Sequence, residues 1–247
     1  MVSSTRGLPR WQALGKFGEV SWGPKTLLSW SSGKDSAWAL HLLRCEARVE
    51  VVGLLTTVSE PFDRVAMHGV RRELLEAQAR AAELPLVAID LPAPCSNEEY
   101  ERRMAAALGR ARAQGIERIA FGDLFLADVR RYREERLAGT GIEPLFPLWG
   151  RPTASLAREM LGAGVRAWVT SVDPGRVSRD LAGRVWDESL LAALPPGADP
   201  CGENGEFHTF VSAGPMLKAP IPVCRGEVIE RDGFVFADLS IDLSFDG

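Results

Sequence analysis

The sequence predicts an α/β fold: an open, mostly parallel sheet with helices on both faces, plus a smaller C-terminal region with a β-hairpin. Three observations carry this. Short apolar runs alternate with helical segments from Lys25 to about residue 175. A loop of small residues joins the first run to the first helix. Beyond residue 175 the rhythm weakens, and residues 227–243 read as two strands turning at Arg231-Asp232-Gly233.

Each element follows in order. Residues 1–24 mix Gly, Pro, Trp and charges without period and read as an irregular extension. Residues 26–30 form a buried strand, and residues 36–44 a helix with Ala37, Leu40 and Leu43 at helical spacing. A second apolar strand covers 49–56, a long helix 69–83 and a third strand 86–91. Asn97 is the expected cap of the next helix, whose first turn holds Glu98 and Glu99 and which Gly115 ends. Residues 116–121 are strand four, 126–137 a charged helix, 144–149 a turn, 155–162 a helix and 167–171 strand five. The expected division is an α/β domain over 25–175 and a C-terminal region over 176–247.

Composition narrows the function classes. With 46% hydrophobic and 25% charged residues among 247, the chain is an ordinary globular protein able to bury a sizeable core. Its 29 Lys plus Arg stand against 33 Asp plus Glu, so no global charge favours nucleic acid or an anionic membrane. Cys45, Cys95, Cys201 and Cys224 are widely spaced without a C-x-x-C pair, which argues against a zinc knuckle or dithiol motif. No stretch approaches the roughly 18 apolar residues of a membrane helix, and the first 25 residues lack a signal peptide's apolar block. A cytoplasmic protein with reduced thiols is expected.

Chemistry concentrates first at Ser31-Ser32-Gly33-Lys34-Asp35-Ser36, between the first strand and first helix. In an open parallel sheet, ligands sit at the carboxyl ends of strands. Small residues there let backbone N–H groups converge on an anion, and the helix N-terminus adds partial positive charge. Lys34 offers a full charge, and Ser31, Ser32 and Ser36 offer hydroxyls. Asp35 beside phosphates implies Mg²⁺, loop organisation or helix capping. A Walker A loop is excluded, because Leu28 and Asp35 stand where it needs Gly and Ser or Thr. The other reading of the same residues is a capped turn, S-x-x-D before a helix.

The loop resembles the S-G-G-K-D-S loop of the N-type ATP pyrophosphatases, the PP-loop superfamily, with Ser32 in place of a glycine. Met67-His68-Gly69-Val70, Phe121-Gly122-Asp123, the 143–149 segment and Asp199-Pro200-Cys201-Gly202-Glu203-Asn204-Gly205-Glu206-Phe207-His208 narrow the likeness. Together they resemble the diphthine-ammonia ligase family and its bacterial-type relatives, over residues 25–222. That family's C-G-E-G-G-E segment carries Asn204 at its middle glycine here. The resemblance implies a HUP-type sheet, an ATP-binding domain over 25–175, and cleavage of ATP to AMP and pyrophosphate. It also implies activation of a carboxylate as an acyl-adenylate for attack by ammonia. In the ligases that carboxylate belongs to diphthine, a modified histidine of translation elongation factor 2.

ATP and Mg²⁺ are thus the expected cofactors, with Lys34 and Asp35 catalytic and Asp35 the metal ligand. Ser31, Ser32, Gly33, Lys34, Asp35 and Ser36 would hold the phosphates, with Thr56, His68, Gly122 and Asp123 at the nucleotide's walls. Gly122-Asp123 reads equally as a strand-end turn, and His68 equally as a surface or cap residue. Arg133 is a candidate for binding the acceptor's carboxylate; Asp128, Glu134 and Glu135 nearby also fit a solvated helix face. Glu203 and Glu206, three apart with Asn204 and His208 close by, could hold a cationic group or accept a proton from an attacking amine. The expected partners are a carboxylate-bearing acceptor and free ammonia, with no membrane or nucleic acid. A homodimer is compatible with the sequence. Two rivals stay open: a PP-loop enzyme acting on another acceptor such as tRNA, and a nucleotide-binding sensor without turnover.

Overall fold

The computed structural model describes residues 23–65 and 68–244. The extension over 1–24 therefore lies outside the described residues apart from Gly23 and Pro24, as does Met67 of the Met67-His68-Gly69-Val70 segment. The first part of the chain runs β1 (Lys25–Ser29), α1 (Lys34–Glu46), β2 (Glu50–Ser59), β3 (Arg64–Val65), α2 (Arg72–Ala81), β4 (Leu86–Leu91), α3 (Asn97–Ala113), β5 (Arg118–Ala120), α4 (Ala127–Leu137), β6 (Glu143–Leu145) and α5 (Thr153–Gly162). Five of its strands pair in parallel in the order β4-β2-β1-β5-β6. The short β3 lies antiparallel against the end of β2.

The apolar runs are continuous because both faces of this sheet are buried. Successive residues of β1 feed different cores: Leu27 joins Leu55, Ile119 and the α3 side chain Leu108 on one face. Leu28 joins Leu54, Leu40 of α1 and Leu74 of α2 on the other. The second core continues into a further sheet, built from β7 (Arg166–Val172), β8 (Val185–Trp186), β9 (Phe207–Ala213), β10 (Val223–Arg231) and β11 (Phe234–Ile241), with α6 (Glu188–Ala193) between β8 and β9. All its pairings are antiparallel, with β9 along one side of β7 and β8 and β11 on the other. Asp232 and Gly233, with φ of 53° and 81°, form the two-residue turn between β10 and β11 where the sequence predicts one.

Three local expectations are corrected. The cap of α3 is Ser96, not Asn97: the Ser96 hydroxyl accepts the Glu99 N–H at 3.2 Å, using the S-x-x-E spacing that Asn97 lacks. The predicted turn at 144–149 begins as strand β6, which pairs with β5 at the sheet edge, where Pro144 needs no donor on its outer side. Residues 167–171 are a strand, yet it is the centre of the second sheet rather than a fifth strand of the first. No described helix is long and apolar enough to cross a membrane.

Candidate active site

At the carboxyl end of β1 the chain turns through Ser31–Ser36 into α1, whose N-cap is Gly33. Ser32 takes φ of 73°, the left-handed conformation that a glycine adopts without cost. The turn is held from outside. The Ser32 carbonyl accepts the Val211 N–H at 3.0 Å and the Gln78 side-chain amide at 3.0 Å. Gln78 also donates to the Val211 carbonyl at 2.7 Å and accepts from the Trp30 indole at 2.9 Å, tying β1, α2 and β9 together. Within the loop, the Ser31 and Ser36 hydroxyls lie 3.1 Å apart and Ser36 donates to the Gly33 carbonyl at 3.0 Å. Gly122 is required by close approach, since a Cβ there would lie 2.9 Å from the Ser36 nitrogen.

Lys34 does not point where a phosphate-binding lysine was expected. Its ammonium is buried, donates to Asp35 at 2.8 Å and to the Cys201 carbonyl, and lies 5.6 Å and 5.5 Å from the ring centres of Trp186 and Phe207. Burial opposes its charge, yet Asp35, Cys201 and Asp199 leave its pKa above the ordinary lysine value. Burial likewise lifts the Asp35 carboxyl above its usual range, against the pull of Lys34. One Asp35 oxygen, Oδ1, is buried without a partner. The Lys34 N–H donates to the Thr209 hydroxyl at 3.1 Å, so the loop is stitched twice to the 201–209 segment.

That segment folds as a tight acidic turn. Glu203 accepts from the Leu124 and Phe125 N–H groups at 2.7 and 3.4 Å, which fixes the turn after β5 against it. Burial raises its carboxyl to about 7 despite these bonds, with Asp35 and Asp123 adding to the rise. Glu206 is buried; its Oε1 accepts from the Asp199 N–H and the Asn204 side chain, while Oε2 has no partner. Burial pushes the Cys201 thiol up, which leaves it protonated and unsuited to nucleophilic work.

A cleft of about 880 Å³ opens beside the loop, floored by the ends of β1, β2 and β5 and roofed by α3 and α4. Among the residues singled out in the sequence, Ser31, Thr56, His68, Arg133 and His208 line it. Asp123 and Arg133, nominated for different jobs, are paired with each other at 2.8 and 3.3 Å. His68 and His208 face each other with ring centres 4.4 Å apart. Burial lowers both imidazoles, His208 to about 4, and His208 adds to the fall at His68.

Several contributors escaped the sequence reading. Tyr100, Met104 and Leu108 line the cleft from one face of α3 at spacings of four, a signal visible in the sequence. Gln78 occupies a core-facing position beside Leu74 and Leu75, where an amide demands partners. Asp199 opens the segment that carries the resemblance and Thr209 follows it, yet the sequence assigns neither a role of its own.

Residues 24–142 match the diphthamide synthase N-terminal domain. The rat diphthine-ammonia ligase is 25% identical over 234 aligned residues, covering 85% of this chain and 86% of the relative. The human diphthine-ammonia ligase is 26% identical with the same coverage. That of Schizosaccharomyces pombe is 25% identical over 222 residues, 81% of this chain and 36% of the relative. Residues 24–142, which include the loop beside the cleft, thus resemble the diphthamide synthase N-terminal domain, and the chain is similar to diphthine-ammonia ligases along most of its length.

Proposed function

We propose that this chain is an ATP-dependent amide-forming ligase that adenylates a carboxylate, releasing pyrophosphate, and then joins it to ammonia, releasing AMP. The observation that supports this best is the stitching of Lys34 to Cys201 and Thr209, which brings the phosphate loop and the acidic turn to one place. On this reading residues 25–175 bind nucleotide and 176–247 recognise substrate, with β7 reaching across into the second sheet. The adenosine end of ATP enters the apolar cleft near Thr56, and the phosphates meet the Ser31–Ser36 loop and the N-terminus of α1.

Mg²⁺ fits one feature of the loop: the buried, unpartnered Oδ1 of Asp35. Among the described residues no group of three or more His, Cys, Asp or Glu could hold a metal alone, so Asp35 would share the ion with phosphate oxygens and water. When bound, the ion would neutralise charge on the leaving pyrophosphate. Glu203, with a carboxyl titrating near 7, can take or give a proton at neutral pH and serves the incoming ammonia. Glu206 offers its free oxygen to a donor at the same turn. The paired Arg133 orients the acceptor's carboxylate at the cleft wall. The acceptor is a carboxylate-bearing protein side chain or small molecule, and the reaction belongs in the cytoplasm.

The test is isotope exchange between pyrophosphate and ATP with candidate carboxylates. Exchange should need the acceptor but not ammonium. Glu203→Gln and Glu206→Gln should still bind ATP while losing ammonium-dependent AMP formation. Loss of ATP binding in both variants, or exchange indifferent to any acceptor, would remove the assignment.

A further inference from the structure

Lys34 does not line the cleft, so among the described residues no free ammonium meets the cleft side of the phosphate loop, where a pyrophosphate-binding site calls for a cation. The Lys34 ammonium is spent on Asp35 and Cys201. Among the described residues the other cations on the cleft wall are Arg133, paired with Asp123 and assigned above to the acceptor's carboxylate, and Arg136, paired with Glu101. What borders both the loop and the cleft is the imidazole pair. His68 packs against the loop so closely that a Cβ on Gly33 would lie 3.4 Å from its Cε1. His208 precedes Thr209, whose hydroxyl caps the Lys34 N–H. Both rings share the cleft with Ser31. His68 Nδ1 is buried without a partner, a deficit that a ligand acceptor would make good.

We propose that His68 and His208 are the side chains that meet the polyphosphate of the bound nucleotide, replacing Lys34 as the cationic contact and drawing a proton from solution on binding. The inference rests on the nucleotide reading above. Its physical basis is the surroundings of the rings. In the free protein, Lys34 on α1 disfavours charge on both, and each ring stands beside the other. The Thr209 carbonyl supports a proton on His68, and Ser171 of β7 faces His208 in register with a buried, unpartnered hydroxyl. The Gly69 carbonyl beside His68 accepts from Arg64, which with Arg71 is paired to Asp238 of β11, and the ring of Phe236 of β11 packs on Gly69. Along the cleft, Arg136 is paired with Glu101 and Arg133 with Asp123, so these four charges largely cancel. A polyphosphate adds several negative charges at this point, which favours the imidazolium over the neutral ring.

The test is calorimetric titration of the intact chain with Mg²⁺ and α,β-methylene ATP at pH 6, in buffers of different ionisation enthalpy. Binding should take up on the order of one proton. The His68→Gln, His208→Gln double variant should lose that uptake and bind about 10-fold or more weakly. NMR of the native protein's imidazoles, which needs no variant, should show imidazolium signals only with the analogue present. Binding without proton uptake, or uptake that survives in a folded double variant, overturns the inference alone. An analogue that does not bind the native chain overturns the nucleotide reading as well.

Discussion

Ser32 shows how a single residue can be strained and buried for a site. Its left-handed φ disfavours a side chain by roughly 1–2 kcal/mol, and its buried hydroxyl has no partner. Ser32→Gly should therefore raise stability by about 1 kcal/mol after the entropy of the added glycine, an increase of about 2–4 °C in Tm. An unchanged or lower Tm would mean that the hydroxyl is satisfied. The imidazoles make a second residue-scale prediction. His208 is held neutral down to about 4, so between pH 6.5 and 4 the unfolded chain binds a proton that the folded one refuses. Stability falls as pH falls through that window, by about 3 kcal/mol at pH 4. Glu203, raised to about 7, acts with the opposite sign, gaining stability as pH falls from 7 towards 4.5, so the His208 effect must be read by difference. Denaturant unfolding of the native chain and His208→Gln should diverge as pH drops, with the native chain losing ground. Parallel profiles would refute the burial of that ring. The loop's residue types were legible in the sequence. The direction of Lys34 was not, because the Cys201 carbonyl that it reaches lies 167 residues away.

At the scale of elements, periodicity sufficed wherever burial is one- or two-sided in a simple way. The apolar runs at β1, β2 and β4, the α3 helix and the Asp232-Gly233 turn all follow from local chemistry. The failures share a cause: strand β6 is three residues long with a proline in it, and β7 looks like any buried strand, so only its partners reveal its sheet. Those partners also fix how the second sheet is fastened. Asp238 of β11 accepts from Arg64 at 2.8 Å and from Arg71 at 3.0 and 2.5 Å, which holds its carboxyl down at about 2. Arg64 lies in β3 and Arg71 follows the His68 turn, so this clamp sets the turn against the hairpin. Asp238→Asn should cost about 1–3 kcal/mol and increase amide exchange in residues 64–71. Unaltered exchange there would show that apolar packing alone positions the turn.

Over the whole molecule, the two sheets meet where the chemistry is proposed. The first supplies a strand-end loop and a cleft of about 880 Å³; the second supplies the acidic turn and both partners of the Lys34 stitch. A loop of small residues between a strand and a helix was readable from six consecutive residues, whereas its contact with the 199–209 segment depends on tertiary packing that no local pattern encodes. The central claim is that this combined site breaks ATP between its α and β phosphates and spends the energy on an amide bond. Chromatography of nucleotide products, after incubation with ATP, Mg²⁺, ammonium and a desalted extract as acceptor source, tests it most directly. The account predicts AMP and pyrophosphate in equal amounts, formed only when ammonium and extract are both present; ADP and phosphate as the main products would contradict it.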